Sequence, residues 1–279
     1  MSKKSPKNSF KVGLVQMTSS DIIADNMAAA DRLIREAAAK GADFVLTPEM
    51  TTLFDFSTKQ MMEKIQSEEK DVSLLHFAAL AKELGIWLLI GSMAVKKNQK
   101  AANRSFLFSP SGKKVVSYDK IHMFDVDLPG EEKYRESNSY EAGDRAVIAD
   151  LPWGKVGLSI CYDVRFPALY RLLAKAGAVM LTVPAAFTYI TGKDHWHTLL
   201  KARAIENASY VFAPAQVGNH SNGRKTFGHS LIIDPWGHIL GDGGAEIGVM
   251  VVEIDLELVK KARARIASLS HDKNIQLSS

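Results

Sequence analysis

Three residues of this chain are of types that could together attack a carbonyl or nitrile carbon. Cys161, the single cysteine of the sequence, follows the apolar run 156–160 (VGLSI). Glu49 follows Pro48 at the end of another apolar run, and Lys120 lies among apolar and aromatic neighbours. A thiolate is a nucleophile, a carboxylate can act as general base, and an ammonium group can stabilise negative charge on a reacting oxygen. Residues of these types could perform nucleophilic chemistry if the fold brings them together.

The surroundings of Cys161 favour a reactive thiol over a structural one. A residue that leaves a buried strand at a turn before a helix is held rigidly, and the backbone N–H groups beyond it can point at a developing oxyanion. The predicted helix N-terminus and Arg165 both favour thiolate over thiol. A lone cysteine is more often inert and buried, but the polar segment 162–165 (YDVR) argues against that here. Ser159 lies inside the predicted strand, and the segment 157–161 (GLSIC) lacks the final glycine of a serine-hydrolase elbow.

Glu49 and Lys120 carry weaker signals when each is considered alone. The end of a strand can place a carboxylate in a crevice that raises its pKa enough for base chemistry, although a glutamate there is more often a solvated turn residue. An apolar setting would allow Lys120 to stabilise an oxyanion, although such a lysine is more often on the surface. Both residues therefore need support from the rest of the chain.

The elements that must position these residues alternate between strand-length apolar runs and helical patterns, which predicts an α/β domain with mixed sheets. The predicted strands are residues 10–17, 44–46, 86–90, 105–109, 114–118, 146–149, 156–160, 179–183, 210–215, 228–233 and 248–254. The predicted helices are residues 27–40, 72–84, 167–175, 194–208 and 256–266. The polar segment 122–145 has no clear period and is predicted to be a loop, and a loop that long in a compact domain is usually functional or disordered.

The composition is ordinary for a globular enzyme. The 279 residues are 46% hydrophobic and carry a formal charge of +4. A basic excess this small, without the Cys/His spacing of a zinc finger or an aromatic RNA-binding signature, argues against nucleic acid as a partner. No apolar run reaches the roughly 18 residues of a membrane span, and with no signal region and a single cysteine we expect no membrane association and a cytoplasmic location. We predict a flexible tail over residues 1–9, one domain over residues 10–270 and a second tail over residues 271–279.

The three candidate residues lie in segments that resemble, in order, the catalytic motifs of the nitrilase, or carbon–nitrogen hydrolase, superfamily. These segments are residues 48–49 (PE), 118–122 (YDKIH) and 160–167 (ICYDVRFP). The resemblance extends over residues 11–255, and three separate motifs at suitable spacing make a chance match improbable. It implies a four-layer α-β-β-α sandwich with two mixed sheets face to face, assembled as a homodimer or larger homo-oligomer.

The resemblance also implies a role for each residue. Cys161 would be the nucleophile, Glu49 the general base, and Lys120 with the backbone N–H of Tyr162 would hold the oxyanion. Glu136 matches a further glutamate that assists many members of the superfamily, with a surface charge in a polar loop as the alternative. No cofactor and no metal is implied.

The substrate class follows from further stretches that look like the branch acting on deaminated glutathione and its ω-amidase relatives. These stretches are residues 190–196 (ITGKDHW), 202–206 (ARAIE), 215–218 (AQVG) and 228–230 (GHS). The implied substrate is a small carboxylate-bearing amide, cleaved in that branch to 2-oxoglutarate and cysteinylglycine. Hydrolysis of nitriles or N-carbamoyl amino acids at the same site is the alternative, and a non-catalytic scaffold is a further one.

Four residues are candidates for substrate binding. Tyr162, Phe187 and Thr191 could line the pocket, and the guanidinium of Arg165 could pair with a substrate carboxylate through two hydrogen bonds. The alternative for Arg165 is a structural ion pair with a neighbouring carboxylate. Ala168 departs from the resemblance, because many members carry glutamate there.

The histidines do not indicate a metal site at the level of sequence. His195 and His197 are two apart on a predicted helix and point to different sides, unlike the i, i+4 pair of helical zinc sites. His220, His229 and His238 lack carboxylate or cysteine neighbours at metal spacing. We therefore expect no bound metal.

Overall fold

The computed structural model describes residues 9–55, 57–128, 133–221 and 223–278. In chain order its strands are β1 Ser9–Gln16, β2 Phe44–Leu46, β3 Trp87–Lys97, β4 Lys100–Phe108, β5 Lys114–Asp119, β6 Asp125–Asp127, β7 Lys133–Arg135, β8 Ile148–Leu151, β9 Gly154–Leu158, β10 Ala178–Thr182, β11 Tyr210–Ala213, β12 Val217–Asn219, β13 Lys225–Phe227, β14 Leu231–Ile233, β15 Ile239–Asp242 and β16 Gly248–Asp255. The α-helices are α1 Ile23–Ala39, α2 Thr58–Lys64, α3 Val72–Leu84, α4 Pro167–Lys175, α5 Tyr189–Thr191, α6 His197–Asn207 and α7 Glu257–Arg265. Short 3-10 helices cover Glu136–Asn138 and Cys161–Arg165, and a π-helix covers Gly192–Trp196.

The larger sheets are both mixed, as the alternation of patterns predicted. The first has the strand order β16-β1-β2-β3-β4-β5 and the second has β15-β14-β11-β10-β9-β8. β1, β2 and β3 are parallel to one another, and so are β9, β10 and β11, whereas the flanking strands pair antiparallel. In α/β sheets, ligands bind beyond the carboxyl ends of parallel strands. The segments after β2 and β9 therefore lie where a site is expected.

The sheets pack face to face because their strands are apolar on both sides. Val12 and Leu14 of β1 face the second sheet, and Val15 faces the helices α1 and α3. Phe44 of the first sheet meets Phe212 of the second edge to face, with ring centroids 6.5 Å apart. Helices α4 and α6 cover the other side of the second sheet. The predicted four-layer α-β-β-α sandwich is confirmed.

Helix ends were most predictable where the sequence supplies capping residues. The carboxylate of Asp71 accepts a hydrogen bond from the backbone N–H of Ser73 at the start of α3, and Gly85 ends that helix in the left-handed region with φ 67°. Asparagine, aspartate and serine caps and a terminal glycine are the expected signals. Helix α3 begins and ends where these signals predicted, and α4, which begins at Pro167 without a side-chain cap, also has its predicted bounds.

The prediction of an irregular loop over residues 122–145 is wrong in part. β6 and β7 form an antiparallel ribbon inside it, with Val126 opposite Tyr134, and a 3-10 helix follows directly. Three-residue strands are too short to show a clear alternation of apolar and polar residues. Helix α2 was missed for a similar reason, since its seven residues contain few apolar positions.

The predicted helix over residues 194–208 begins earlier and in another form. Tyr189–Thr191 is α-helical, Gly192–Trp196 is a π-helix, and α6 continues from His197. π-helical turns inside helices occur frequently at functional sites. Here the turn adjoins Thr188 and Thr191, which line the cavity described below.

The tails are described only in part. Ser9, assigned to the N-terminal tail, begins β1 opposite Asp255, and residues 1–8 lie outside the described residues. Residues 271–278 form no helix or strand and are exposed, although the Asp272 carboxylate lies 3.2 Å from Lys175 Nζ. In the part of the chain that the structure describes, no helix has the length and apolar content that crossing a bilayer requires.

Candidate active site

The structure brings Glu49, Lys120 and Cys161 together at one edge of the sandwich. Glu49 follows β2, Lys120 follows β5, and Cys161 follows β9, so two of the residues come from the first sheet and one from the second. Lys120 Nζ lies 2.9 Å from Glu49 Oε1, and Cys161 lies close enough to the same carboxylate for its charge to affect the thiol. All three side chains are buried, with relative exposures of 4% for Glu49, 2% for Lys120 and 6% for Cys161.

The Glu49 carboxylate is fixed by donors from both sheets. Its Oε2 accepts the backbone N–H of Ala186 at 2.8 Å, and its Oε1 accepts Asn103 Nδ2 at 2.9 Å. The two sheets can approach here because residue 91 is a glycine. A Cβ at Gly91 would lie 1.9 Å from the carbonyl oxygen of Thr47, so any side chain would push the loop that carries Glu49 away.

Glu136 is the second carboxylate on Lys120. Its Oε2 and Oε1 lie 2.8 and 3.0 Å from Lys120 Nζ, and Oε2 also accepts the backbone N–H of Phe124 at 2.7 Å. Asn103 Nδ2 lies 3.2 Å from Glu136 Oε1, so one amide bridges the two carboxylates. Glu136 therefore belongs to the buried cluster and is not an isolated surface charge.

Cys161 adopts an uncommon backbone conformation. Its φ is +48°, which places a non-glycine residue in the left-handed region, and its N–H donates to the carbonyl oxygen of Pro184 at 2.9 Å. Strained conformations of this kind cluster at active sites. Cys161 also begins a 3-10 helix, and the N–H groups of a first helical turn have no partner within their own helix. The Tyr162 N–H is such a group.

Asp163 links the segment that carries Lys120 to the segment that carries Cys161. Its side chain is completely buried and accepts hydrogen bonds from Tyr118 Oη at 2.7 Å, from the backbone N–H of His122 at 3.0 Å and from the backbone N–H of Ile160 at 2.8 Å. His122 Nδ1 lies 2.7 Å from the same carboxylate. Sequence analysis did not select Asp163, because an aspartate in a polar turn gives no signal of burial.

A cavity of about 490 Å³ opens from these residues to the surface. Glu49, Lys120, Glu136 and Cys161 line it, together with Tyr162, Phe187 and Thr191, as the sequence predicted for the pocket. Its wall also includes Phe54, Phe124, Lys133, Tyr134, Arg135, Tyr140 and Arg224. Small-molecule sites typically enclose about 300–1,000 Å³.

The comparisons with known proteins agree with this geometry. Residues 11–264 match the family described as carbon-nitrogen hydrolase. The chain is 41% identical over 267 residues to a Synechocystis protein named deaminated glutathione amidase, covering 94% of this chain and 97% of that protein. It is 37% identical to omega-amidase NIT2-A of Xenopus laevis, covering 92% of each chain. The crystal structure of C. elegans NitFhit superposes with a TM-score of 0.87 at 34% identity, and the match covers 95% of this chain and 65% of that longer one.

The chain belongs to the carbon–nitrogen hydrolase family. It is therefore an enzyme that cleaves carbon–nitrogen bonds, as the three motifs indicated.

The charges in this carbon–nitrogen hydrolase leave Cys161 as a thiol in the resting state. Burial and the Glu49 carboxylate raise the pKa of the Cys161 thiol well above its usual range, and Lys120 offsets this only in part. The prediction that a helix N-terminus and Arg165 favour the thiolate is wrong. One lysine faces two carboxylates here, and a thiolate would add a further negative charge to a low-dielectric site.

The Glu49 carboxylate is stabilised in its ionised form. Burial acts to raise its pKa, but the Lys120 ammonium and the hydrogen bonds from Lys120, Cys161 and Asn103 hold the pKa below its ordinary value. The sequence-based prediction of a raised pKa is wrong because the Lys120 ammonium lies 2.9 Å from the carboxylate and offsets the effect of burial. The Lys120 pKa is well above its ordinary value despite burial, because both Glu136 and Glu49 stabilise the ammonium form.

Arg165 does not line the cavity within the described part of the chain. Its guanidinium carbon lies 5.8 Å from the ring centroid of Tyr162 and 5.3 Å from that of Phe187, and its Nη2 lies 3.3 Å from His195 Nδ1. Arg135 and Arg224 are instead the arginines in the wall, and sequence analysis selected neither. Ala168, the other position in question, is exposed on helix α4 and does not line the cavity.

Two of the histidines have carboxylate partners that the sequence spacing did not reveal. His229 Nδ1 lies 2.9 Å from the Asp242 carboxylate, and His238 Nδ1 lies 3.0 Å from that of Asp234. The prediction that His220, His229 and His238 lack carboxylate or cysteine neighbours at metal spacing is wrong for His229, which lies with His197 beside Asp242. Sheet pairing between β14 and β15 decides the first contact, which joins residues 13 positions apart.

Proposed function

We propose that this carbon–nitrogen hydrolase is an amidase for small carboxylate-bearing amides, with deaminated glutathione as the first candidate. The observation that carries the proposal is the buried contact of Glu49 with both Lys120 and Cys161 at the inner end of an open cavity. The names of the relatives, deaminated glutathione amidase and omega-amidase, support the substrate class. In this proposal the reaction needs no cofactor, because the side chains supply a nucleophile, a base and a cation.

Acylation begins with proton transfer from the Cys161 thiol to the ionised Glu49 carboxylate as the sulfur attacks the amide carbon. The carbonyl oxygen becomes an oxyanion, held by Lys120 Nζ and the Tyr162 N–H. Glu49 then donates its proton to the leaving nitrogen, the carbon–nitrogen bond breaks, and a thioester on Cys161 remains. Coupling proton transfer to attack avoids a free thiolate, which suits a thiol whose pKa is raised.

Deacylation uses the same groups, with water as the nucleophile and the sulfur of Cys161 as the leaving group. Glu49, again ionised, takes a proton from a water molecule as its oxygen attacks the thioester carbon. The second oxyanion occupies the same position near Lys120, and its collapse expels the sulfur of Cys161, which recovers the proton from Glu49. Glu136 acts through Lys120, since it holds the ammonium group in place with two oxygens at 2.8 and 3.0 Å.

The outer part of the cavity suits an anionic substrate. Lys133, Arg135 and Arg224 line it, in addition to the buried Lys120. Guanidinium groups bind carboxylates through paired hydrogen bonds. In this proposal Tyr162, Phe187 and Thr191 contact the uncharged part of the substrate, and Arg165 acts indirectly by packing on two of these residues.

Product formation with four substrate classes tests the proposal. Deaminated glutathione, 2-oxoglutaramate, a simple nitrile and an N-carbamoyl amino acid are compared for the same enzyme preparation. We expect turnover of the first two and a thioester on Cys161, detected by intact-protein mass as the added acyl group. Activity confined to the nitrile or the carbamoyl compound would refute the amidase assignment in favour of the alternative reactions.

A Cys161→Ala variant separates an enzyme from a non-catalytic scaffold. We expect it to fold as the wild type does and to lose turnover of every amide. If wild type and variant behave alike on all substrates, the chain is a binding or scaffold protein.

We also propose that the enzyme is a cytoplasmic homodimer or larger homo-oligomer. Exposed apolar side chains on α6 and the neighbouring β14–β15 turn support the assembly, among them Ile205 at 54%, Trp236 at 44% and Ile239 at 40% exposure. Light scattering after size exclusion should give at least twice the chain mass, and Ile205→Asp should shift the protein toward monomer. A single-chain mass for the wild type would refute the proposed assembly.

The buried thiol of Cys161 suits a reducing compartment, and recovery of the protein outside the cytoplasmic fraction would contradict the proposed cytoplasmic location.

A further inference from the structure

A second cluster of titratable side chains lies outside the cavity. His197 is the first residue of α6, His229 lies between β13 and β14, and Asp242 ends β15. His197 Nε2 is 3.2 Å from Asp242 Oδ2, and His229 Nδ1 is 2.9 and 3.1 Å from the two carboxylate oxygens. One potential ligand atom from each residue lies within 4.8 Å of the others. None of the three residues lines the cavity.

We propose that His197, His229 and Asp242 form a binding site for a divalent transition-metal ion, with Zn²⁺ as the first candidate. Imidazole nitrogen and carboxylate oxygen are ligands that zinc prefers. Bonds of about 2.0–2.1 Å in a tetrahedron put neighbouring ligand atoms about 3.3 Å apart. The N···O separations of 2.9–3.2 Å are close to this spacing, so small side-chain movements would admit the ion.

The ligands are oriented by contacts of their own. The His229 ring stacks on Phe227 with centroids 4.5 Å apart and an interplanar angle of 25°. The backbone of His229 is fixed at φ +53°, its N–H donating to Gly244 and its carbonyl oxygen accepting from Trp196 Nε1. Asp242 Oδ1 also accepts the backbone N–H of Gly244 at 2.9 Å. Partners that hold ligands in this way typically strengthen metal sites.

The side chains are accessible to an ion from solution. Their relative exposures are 32% for His197, 29% for His229 and 35% for Asp242. Three protein ligands leave the fourth position of a tetrahedral ion for water. A bound ion would join the start of α6 to β15 and to the segment before β14. The neighbouring residue Trp196 packs against Phe187 of the cavity wall.

Zinc binding to a Cys161→Ala protein without an affinity tag tests the site, because the active-site thiol is itself a zinc ligand. After treatment with a chelator, equilibrium dialysis against ZnCl₂ should give one ion per chain. Zinc in excess should raise Tm by about 4 °C, and Co²⁺ should give the visible absorption of a tetrahedral site. This test is independent of the proposed substrate, since it measures no turnover.

Ligand variants distinguish this site from a hydrogen-bonded cluster that takes up no metal. His197→Gln and Asp242→Asn should each lower zinc affinity at least about tenfold, whereas His238→Ala, which removes a different histidine paired with a carboxylate, should leave it unchanged. His229 is not substituted, because its positive φ would let a change at this position alter the backbone as well as the ligand. Absence of zinc uptake, or equal uptake by the ligand variants and the control, would overturn the proposal. The proposal would also be overturned if a ligand variant were destabilised, relative to the protein with all three ligands, by the same amount in the presence and in the absence of zinc.

Discussion

The inner and outer ends of the cavity hold their charges in different ways. At the inner end Lys120 has carboxylate oxygens of Glu49 and Glu136 within 3.0 Å, and the Lys120 and Glu49 side chains are buried, whereas that of Glu136 is 12% exposed. At the outer end the guanidinium carbon of Arg224 lies 5.1 Å from the ring centroid of Tyr134 and 5.3 Å from that of Phe54.

This difference indicates a division of work. Charges that are buried and paired are preorganised, so they can stabilise a transition state without reorganising at the moment of reaction. Arg224 lines the cavity wall, where its charge can attract an acidic substrate. We therefore expect changes at the inner end to lower kcat, and changes at the outer end to alter KM for acidic substrates.

The largest effect is expected from Lys120→Gln, which removes the only cation of the inner cluster among the described residues. Loss of one oxyanion donor lowers kcat about 10²–10³-fold, and two carboxylates left without a buried counter-ion should destabilise the fold by about 3–5 kcal/mol. Steady-state kinetics and thermal unfolding measure the two effects. A kcat within tenfold of the wild type would contradict the assignment of the oxyanion to Lys120.

A smaller loss is expected from Glu136→Gln, which keeps the shape of the side chain and removes its charge. Hydrogen bonds to charged groups contribute about 1.5–3 kcal/mol, so kcat should fall about 10- to 100-fold with KM nearly constant. Glu141→Gln is a matched control, since Glu141 lies outside the cavity. A rise in KM at unchanged kcat would show that Glu136 binds substrate instead of positioning Lys120.

At the outer end, Arg224→Met should raise KM about tenfold for an acidic amide and much less for a neutral amide of similar size. One charge-assisted hydrogen bond of this strength is worth roughly 1.4 kcal/mol. Arg145→Ala, at a side chain that is 87% exposed and does not line the cavity, should change either KM by no more than about twofold. Equal increases for both substrates would show that Arg224 supports the wall, where its Nη2 donates to the Ala186 carbonyl oxygen at 2.7 Å.

The smallest effect concerns the acid limb of kcat/KM. Because the pKa of Glu49 is held below its ordinary value, the carboxylate stays ionised, and able to accept a proton, below the usual glutamate pKa of about 4.3. The base and its ion pair with Lys120 are lost only as pH falls through the lowered pKa. Rates measured from pH 7 downwards, with circular dichroism as a control for folding, should decline below about 4.3. A midpoint above pH 5 would contradict the lowered pKa.

Several elements could be predicted from local sequence because their signals are local. Gly85 predicted the end of α3, and uninterrupted apolar runs predicted β2 and β10. The ribbon of β6 and β7 could not be predicted, because its strands are three residues long and are stabilised by pairing with each other. Asn103 gave no signal either, since only sheet packing places its amide between Glu49 and Glu136.

Residue types and their spacing identified the family, because three short motifs, each after a predicted strand, carry Glu49, Lys120 and Cys161 in the family's order. Apolar runs predicted an α/β domain with mixed sheets, and the four-layer arrangement followed from the resemblance to the family. The protonation states required the folded structure, since the pKa values of Cys161 and Glu49 depend on the charge of Lys120, which is distant in sequence. The same is true of Arg224 in the cavity wall and of the cluster at Asp242, where residues far apart in the chain meet through sheet pairing and packing.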